Sequence, residues 1–130
     1  MATRKYEAAE KKKSGKYNCA QAVLCTYCDK TGISEEKACA IGNAFAVGMG
    51  NMEGTCGALI GAGVALGLIN NDRAKSTKDM RQIMTQFQAR NGATQCKLLK
   101  GTETKKVLRE CPDCVADAAE FLEEIINKDA

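Results

Sequence analysis

The chain has no histidine and no tryptophan, one proline (Pro112), and only three tyrosines and three phenylalanines. Each absence excludes something. Without imidazole there is no histidine general base, no histidine-ligated metal and no C-x-x-C-H site for covalent haem, so c-type haem is ruled out. With so few aromatic residues, a sheet protein or a base-stacking nucleic-acid surface is not expected. Long apolar runs are missing too. The most apolar stretch, CGALIGAGVALGLI from Cys56 to Ile69, falls short of the roughly 20 residues of a membrane span and holds Gly57, Gly61, Gly63 and Gly67. The first residues, MATRKYEAAEKKKSG, carry no apolar core of a secretory signal. The expectation is a cytoplasmic chain, and in that compartment thiols stay reduced.

What the chain does have is sulfur: eight cysteines in 130 residues, with a net charge of only +3. Lys11, Lys12 and Lys13 form the one basic run and read as a solvated helix face. The length fits one domain covering residues 1–130, and the Ala-, Gly- and charge-rich composition fits helices. Helical spacing and caps predict segments over Ala2–Lys13, from an Asn18 cap to Lys30 with Gly32 as the stop, and from Ser34 through buried Ala38, Ile41 and Phe45. A loop from Gly48 to Gly54 leads to an apolar helix capped by Thr55, whose glycines imply close approach of neighbouring backbones. A helix capped by Ser76 with Asp79 in its first turn ends near Gly92, burying Met80, Ile83, Met84 and Phe87. A turn at Cys96–Leu99, a brief helix over Glu103–Arg109 and a final helix with Pro112 in its first turn complete the pattern. The fold class is all-α: a compact bundle of roughly six to eight helices around the central Gly/Ala-rich one.

Four cysteines stand where helices begin: Cys19, Cys56, Cys96 and Cys111. A helix start carries unpaired N–H groups and about half a positive charge, which favours thiolate over thiol. The others, Cys25, Cys28, Cys39 and Cys114, read as small buried or plainly exposed residues. Cys25 in particular falls on the polar side of its helix with Gln21 and Asp29. Two C-x-x-C pairs, Cys25–Cys28 and Cys111–Cys114, invite a four-sulfur zinc reading, but both lie within helices without a knuckle turn. Cys111-Pro-Asp-Cys114 resembles a glutaredoxin-type site, yet no strand precedes it. The Gly48–Gly54 loop matches neither phosphate-binding glycine pattern, and its expected role is to turn backbone N–H groups toward the Cys56 sulfur.

Asn18-Cys-Ala-Gln-Ala-Val23, Gly54-Thr-Cys-Gly-Ala-Leu-Ile-Gly61, Cys96-Lys-Leu-Leu99 and Cys111-Pro112 ahead of Val115-Ala-Asp-Ala-Ala119 together resemble the family of small redox-active proteins named for its C…GCAxxG…C…C pattern. The likeness runs from about residue 6 to 126. It implies that the family's four cysteines fall on Cys19, Cys56, Cys96 and Cys111, the same set that helix starts select. The chain departs from the family name in placing Gly57 between Cys56 and Ala58, and in its four additional cysteines.

The preferred function is thiol/disulfide or electron-transfer chemistry at Cys19, Cys56, Cys96 and Cys111. Cys56 is the expected attacking thiolate, one of the other three is its resolving partner, and Lys97 or Lys100 assists. Whether this makes the chain an oxidoreductase depends on a redox partner that the sequence does not name. A competing class is a binding module in which the same four sulfurs hold an iron–sulfur cluster or zinc. A third is a helical interaction module, a homodimer through the glycine-lined helix. No nucleic-acid partner and no membrane span are expected.

Overall fold

The computed structural model describes residues 4–129, and everything in that range is helix, turn or loop apart from one isolated bridge between Thr55 and Gln95. In chain order the helices are α1 (Arg4–Lys13), α2 (Cys19–Thr26), α3 (Cys28–Thr31), α4 (Glu35–Gly42), α5 (Gly57–Asn70), α6 (Arg73–Asn91), α7 (Cys96–Lys100) and α8 (Cys111–Asp129). The all-α bundle expected from composition is what forms. Ala2 and Thr3, expected at the start of the first helix, lie outside the described residues.

Local chemistry explains most boundaries. The Asn18 side chain accepts from the Gln21 N–H while the Gln21 side chain accepts from the Asn18 N–H, a reciprocal cap that fixes the start of α2. The expected continuous helix to Lys30 is broken at Tyr27, whose φ of −111° and ψ of 20° end α2 before α3 begins. Tyr27 is fully buried and its hydroxyl donates to the Ala119 carbonyl at 2.7 Å, so a packing bond to α8 overrides helical continuity. Gly32, Gly92 and Gly101 end α3, α6 and α7 in the left-handed conformation.

Four expectations about the helices need correction. The α6 cap is Asp72, accepting from Lys75 N–H, rather than Ser76. Asp79 instead takes Lys75 Nζ at 2.8 Å and Asn70 Nδ2 at 3.1 Å. Residues 103–109 form turns, not a helix; the Leu108 and Arg109 N–H groups reach back to the Leu99 carbonyl. On α4 the inward face is Ala38 and Gly42, while Ile41 is 36% exposed and Phe45 lies beyond the helix end. Gly42 faces α2 so closely that a Cβ there would sit 2.7 Å from Gln21 Cγ. Lastly, α5 begins after Cys56 rather than after Thr55, which instead makes the bridge to Gln95.

Helix α5 is the centre of the bundle and packs on α2, α3, α6 and α8, while α1 lies against α8 and α2. Its glycines do two different things. A Cβ at Gly61 would lie 2.5 Å from the Ala20 carbonyl oxygen, and one at Gly57 would lie 2.6 Å from the Phe45 oxygen and 3.3 Å from Cys19 Cβ. A Cβ at Gly63 would meet only Met80 Sδ at 3.4 Å, and one at Gly67 would meet nothing. The close backbone approach foreseen for α5 therefore exists on one side alone. It is made with two backbones of the same chain, α2 at Ala20 and the segment after α4 at Phe45, and it sets the Cys19 backbone beside that of Cys56. Among the described residues no helix is long and apolar enough to cross a membrane.

Candidate functional site: a row of thiols at converging helix starts

Four helices open on a cysteine, Cys28 of α3 among them; of the expected set, Cys19 is the first residue of α2, Cys96 of α7 and Cys111 of α8, while Cys56 is the N-cap of α5. The four of that set line a single pocket of about 80 Å³. Backbone bonds bring α7 to the others: Cys56 N–H donates to the Thr94 carbonyl at 2.8 Å, and Cys96 N–H to the Gly54 carbonyl at 3.0 Å. Gly48, with φ of +55°, closes the wall so tightly that a Cβ would lie 2.4 Å from Cys96 Cβ. Beside it Val47 also has positive φ (52°), a costly conformation for a β-branched residue, at the rim of the pocket.

A fifth sulfur lies in the same pocket. Cys114, one helical turn after Cys111, is 2% exposed and lines it too. The thiols form a chain of contacts in which Cys111 meets Cys19, Cys19 meets Cys56, and Cys56 meets Cys114. Cys96 stands to one side, close enough to Cys111 for their charges to interact. Reading Cys114 as a buried filler missed this. The available signal was its position one turn from Cys111, which puts both on one face of α8.

Access differs along the row. Cys19 and Cys111 are half-buried, whereas Cys56, Cys96 and Cys114 are buried, and all eight cysteines are free thiols. Their acidity is the reverse of the helix-start expectation. The Cys19 thiol gains from Cys111 but loses to Cys56 and to burial, and ends pushed up to about 11. Contact with Cys114, then burial, pushes Cys56 up to about 12, although Cys19 and the Ala58 N–H both oppose the rise. Cys111 is raised by Cys19 and by burial, and Cys96 by burial. A thiol surrounded by other thiols and hydrocarbon loses more solvation than one helix terminus returns.

The Gly48–Gly54 loop does not direct its N–H groups at the Cys56 sulfur. Gly50, Met52 and Gly54 donate to carbonyls within residues 46–48, and the loop's own carbonyls at Met52 and Gly54 accept from the start of α7. The N–H that serves Cys56 belongs to Ala58, in the first turn of α5.

Positive charge comes from an unforeseen quarter. Lys97 is drawn away by Glu53 at 3.1 Å and Glu103 at 3.6 Å. Lys100 lines the pocket as expected and lowers both Cys96 and Cys111. Lys12, read as part of a solvated run, also lines the pocket and acts on Cys19, Cys96 and Cys111. Arg109 reaches the pocket as well, but its Nε and Nη2 are held by buried Asp117 at 3.0 and 3.1 Å.

The sulfurs have the right softness for zinc or an iron–sulfur cluster. Their arrangement does not fit one: among the described residues no three Cys, Asp or Glu side chains are grouped so as to hold a metal ion. Contacts passing from thiol to thiol along a chain suit pairwise bonding rather than a shared centre.

The remaining cysteines form a separate cluster. Cys25 Sγ lies 3.6 Å from Cys39 Sγ between α2 and α4, and Cys28 lies near Cys39. The supposedly polar side of α2 is in fact covered by α4: Gln21 and Cys25 are both buried, and Gln21 Nε2 donates to the Cys39 carbonyl and to Asn43. The two C-x-x-C pairs thus belong to different clusters, and the four-sulfur zinc pairing between them does not form.

No curated protein and no solved structure matches the chain. A family model described as "Putative redox-active protein (C_GCAxxG_C_C)" matches residues 17–125, a span that takes in Cys19, Cys56, Cys96, Cys111 and every wall of the pocket except Lys12. The chain belongs to the C_GCAxxG_C_C family.

Proposed function

We propose that the chain is a thiol–disulfide exchange protein in which Cys19 is the attacking thiol and Cys56 or Cys111 resolves the mixed disulfide. The observation that carries this reading is the position of Cys19: partly exposed where Cys56 is buried, with a neighbouring thiol on either side. Cys56, the sulfur first expected to attack, is only 5% exposed and suits the resolving role better. In the forward direction Cys19 gives up its proton to water and its sulfur bonds to one sulfur of a substrate disulfide, whose S–S bond breaks to release a thiolate. The second cysteine then attacks the Cys19 sulfur, forms the intramolecular disulfide and expels the other half of the substrate as thiol. Two electrons pass from the protein dithiol to the substrate, and a reductant of unspecified identity must return them. In a reducing compartment the resting protein is the dithiol.

The test is disulfide mapping by mass spectrometry after equilibration in graded mixtures of a reduced and an oxidised small dithiol, alongside metal analysis of protein purified without oxygen. The expected result is a reversible bond from Cys19 to Cys56 or Cys111, lost in Cys19→Ser, and no stoichiometric zinc or iron. One equivalent of either metal, or oxidation confined to other cysteines, overturns the reading.

A further inference from the structure

Above the thiol row the pocket is cationic on every charged side. Of its lining residues Lys12, Lys100 and Arg109 are charged, and none is Asp or Glu. Arg109 is neutralised by Asp117, and the neighbours of Lys12 are engaged elsewhere, Lys11 with Glu7 and Lys13 with Glu10. Lys12 and Lys100 line the pocket and act on its thiols from different elements, the end of α1 and the end of α7. The positive ends of α2, α5 and α8 meet at the same place. Two lysines and three helix starts around a pocket without a carboxylate constitute a receptor for negative charge.

We infer that the substrate of this site is a small anionic disulfide, one whose sulfurs are flanked by carboxylates. This rests on the exchange reading above and adds the substrate class. A carboxylate on each half would lie against Lys12 or Lys100 as the S–S bond meets Cys19. The same lysines would then face the leaving thiolate as it takes up the electron pair of the broken bond. The stoichiometry is unchanged: two protein thiols and one anionic disulfide give one protein disulfide and two anionic thiols.

The test compares two probe disulfides of opposite character on the reduced full chain, 5,5′-dithiobis(2-nitrobenzoate), which carries two carboxylates, and neutral 4,4′-dithiodipyridine. The rate at Cys19 is taken as the difference between the parent chain and Cys19→Ser. The double variant Lys12→Gln, Lys100→Gln is expected to lower the rate with the anionic probe about 10-fold and to leave the neutral probe within about 2-fold. Raised salt should reduce the anionic rate alone in the parent chain. Lys12→Arg with Lys100→Arg should restore it, and Lys37→Gln, on exposed α4, should do nothing. Equal rates in parent and double variant overturn the proposal. So does an equal fall with both probes, because the lysines would then act on the thiol rather than on the substrate. If neither probe reacts at Cys19 in the parent chain, the exchange reading itself fails and the proposal goes with it.

Discussion

Replacing Gly61 by alanine tests the contact that holds the first two thiols together. The added Cβ would lie 2.5 Å from the Ala20 carbonyl oxygen, 3.1 Å from Ala20 Cα and 3.2 Å from its carbonyl carbon. These are all backbone atoms of α2, so no side chain can swing aside. Restoring ordinary contact requires α2 and α5 to part by about 1 Å, and such overpacking costs roughly 1–3 kcal/mol. Alanine returns about 1 kcal/mol of helix propensity, leaving a net loss of roughly 0–2 kcal/mol. Gly67→Ala is the internal control. It lies in the same helix with nothing within 4 Å, so propensity acts alone and stability should rise by roughly 0.5–1 kcal/mol. Urea denaturation of both variants, read at constant slope, should separate them by about 2 kcal/mol in opposite directions. Cys19 precedes Ala20 and Cys56 precedes Gly57, so the displacement also pulls the two sulfurs apart. Disulfide formation between them should slow in Gly61→Ala and not in Gly67→Ala. If Gly61→Ala is as stable as Gly67→Ala, the close backbone contact does not exist and the site's geometry is wrong.

Asp117→Ala should be among the most damaging single changes outside the thiols. It removes the buried acceptor of Arg90, Asn91 and both Arg109 nitrogens and should cost about 2–4 kcal/mol by urea denaturation, and a loss under about 0.5 kcal/mol would show the network to be decorative. The raised thiols predict a particular alkaline behaviour. Cys56 goes from an ordinary 9.0 to about 12 on folding, so the unfolded chain loses this proton first. The stability is whole below pH 9 and falls by on the order of 1 kcal/mol per pH unit between about 9 and 12. In Cys56→Ala that slope should lessen over the same window, and an unchanged slope would refute the assignment. Alkylation of Cys19 by iodoacetamide in native protein should climb about tenfold per pH unit with no plateau before about pH 11, and a plateau near 7 would mean a thiolate already formed.

The fold was legible where local chemistry and packing agree. Asn18 and Gln21 form a cap that depends on two residues three apart, and Gly92 ends a helix through its own φ of +83°. Where tertiary contacts decide, the sequence misled. Tyr27 breaks a helix because its hydroxyl is claimed by Ala119, 92 positions away, and no local pattern carries that information. The α4 stripe was misphased because glycine at 42 buries backbone, which a count of apolar side chains cannot register. Cys25 was misplaced for the related reason that α2 is covered on two sides, by α5 and α4, so its polar-looking face has no access to water. In the site, helix starts picked out four sulfurs that share one pocket. They could not reveal Cys114, which follows from the rotation of α8, or Lys12, whose role depends on where the end of α1 comes to rest.

The acidity of these thiols turns on a comparison of magnitudes. A helix terminus contributes roughly 0.3–1 kcal/mol to a nearby charge, less than one unit of pKa. Burial of a titratable group is worth up to 3–5 units, and an adjacent thiol adds to it by competing for the same few donors. Cys56 shows the balance: a helix start, an Ala58 N–H and the Cys19 thiol all favour its anion, yet contact with Cys114 and burial still carry it up to about 12. Placement at a helix start thus selects which sulfurs meet without by itself activating any of them. Lys12 at Cys19, and Lys12 with Lys100 at Cys111, pull in the same direction as the helix starts and still do not offset the neighbouring thiols and burial.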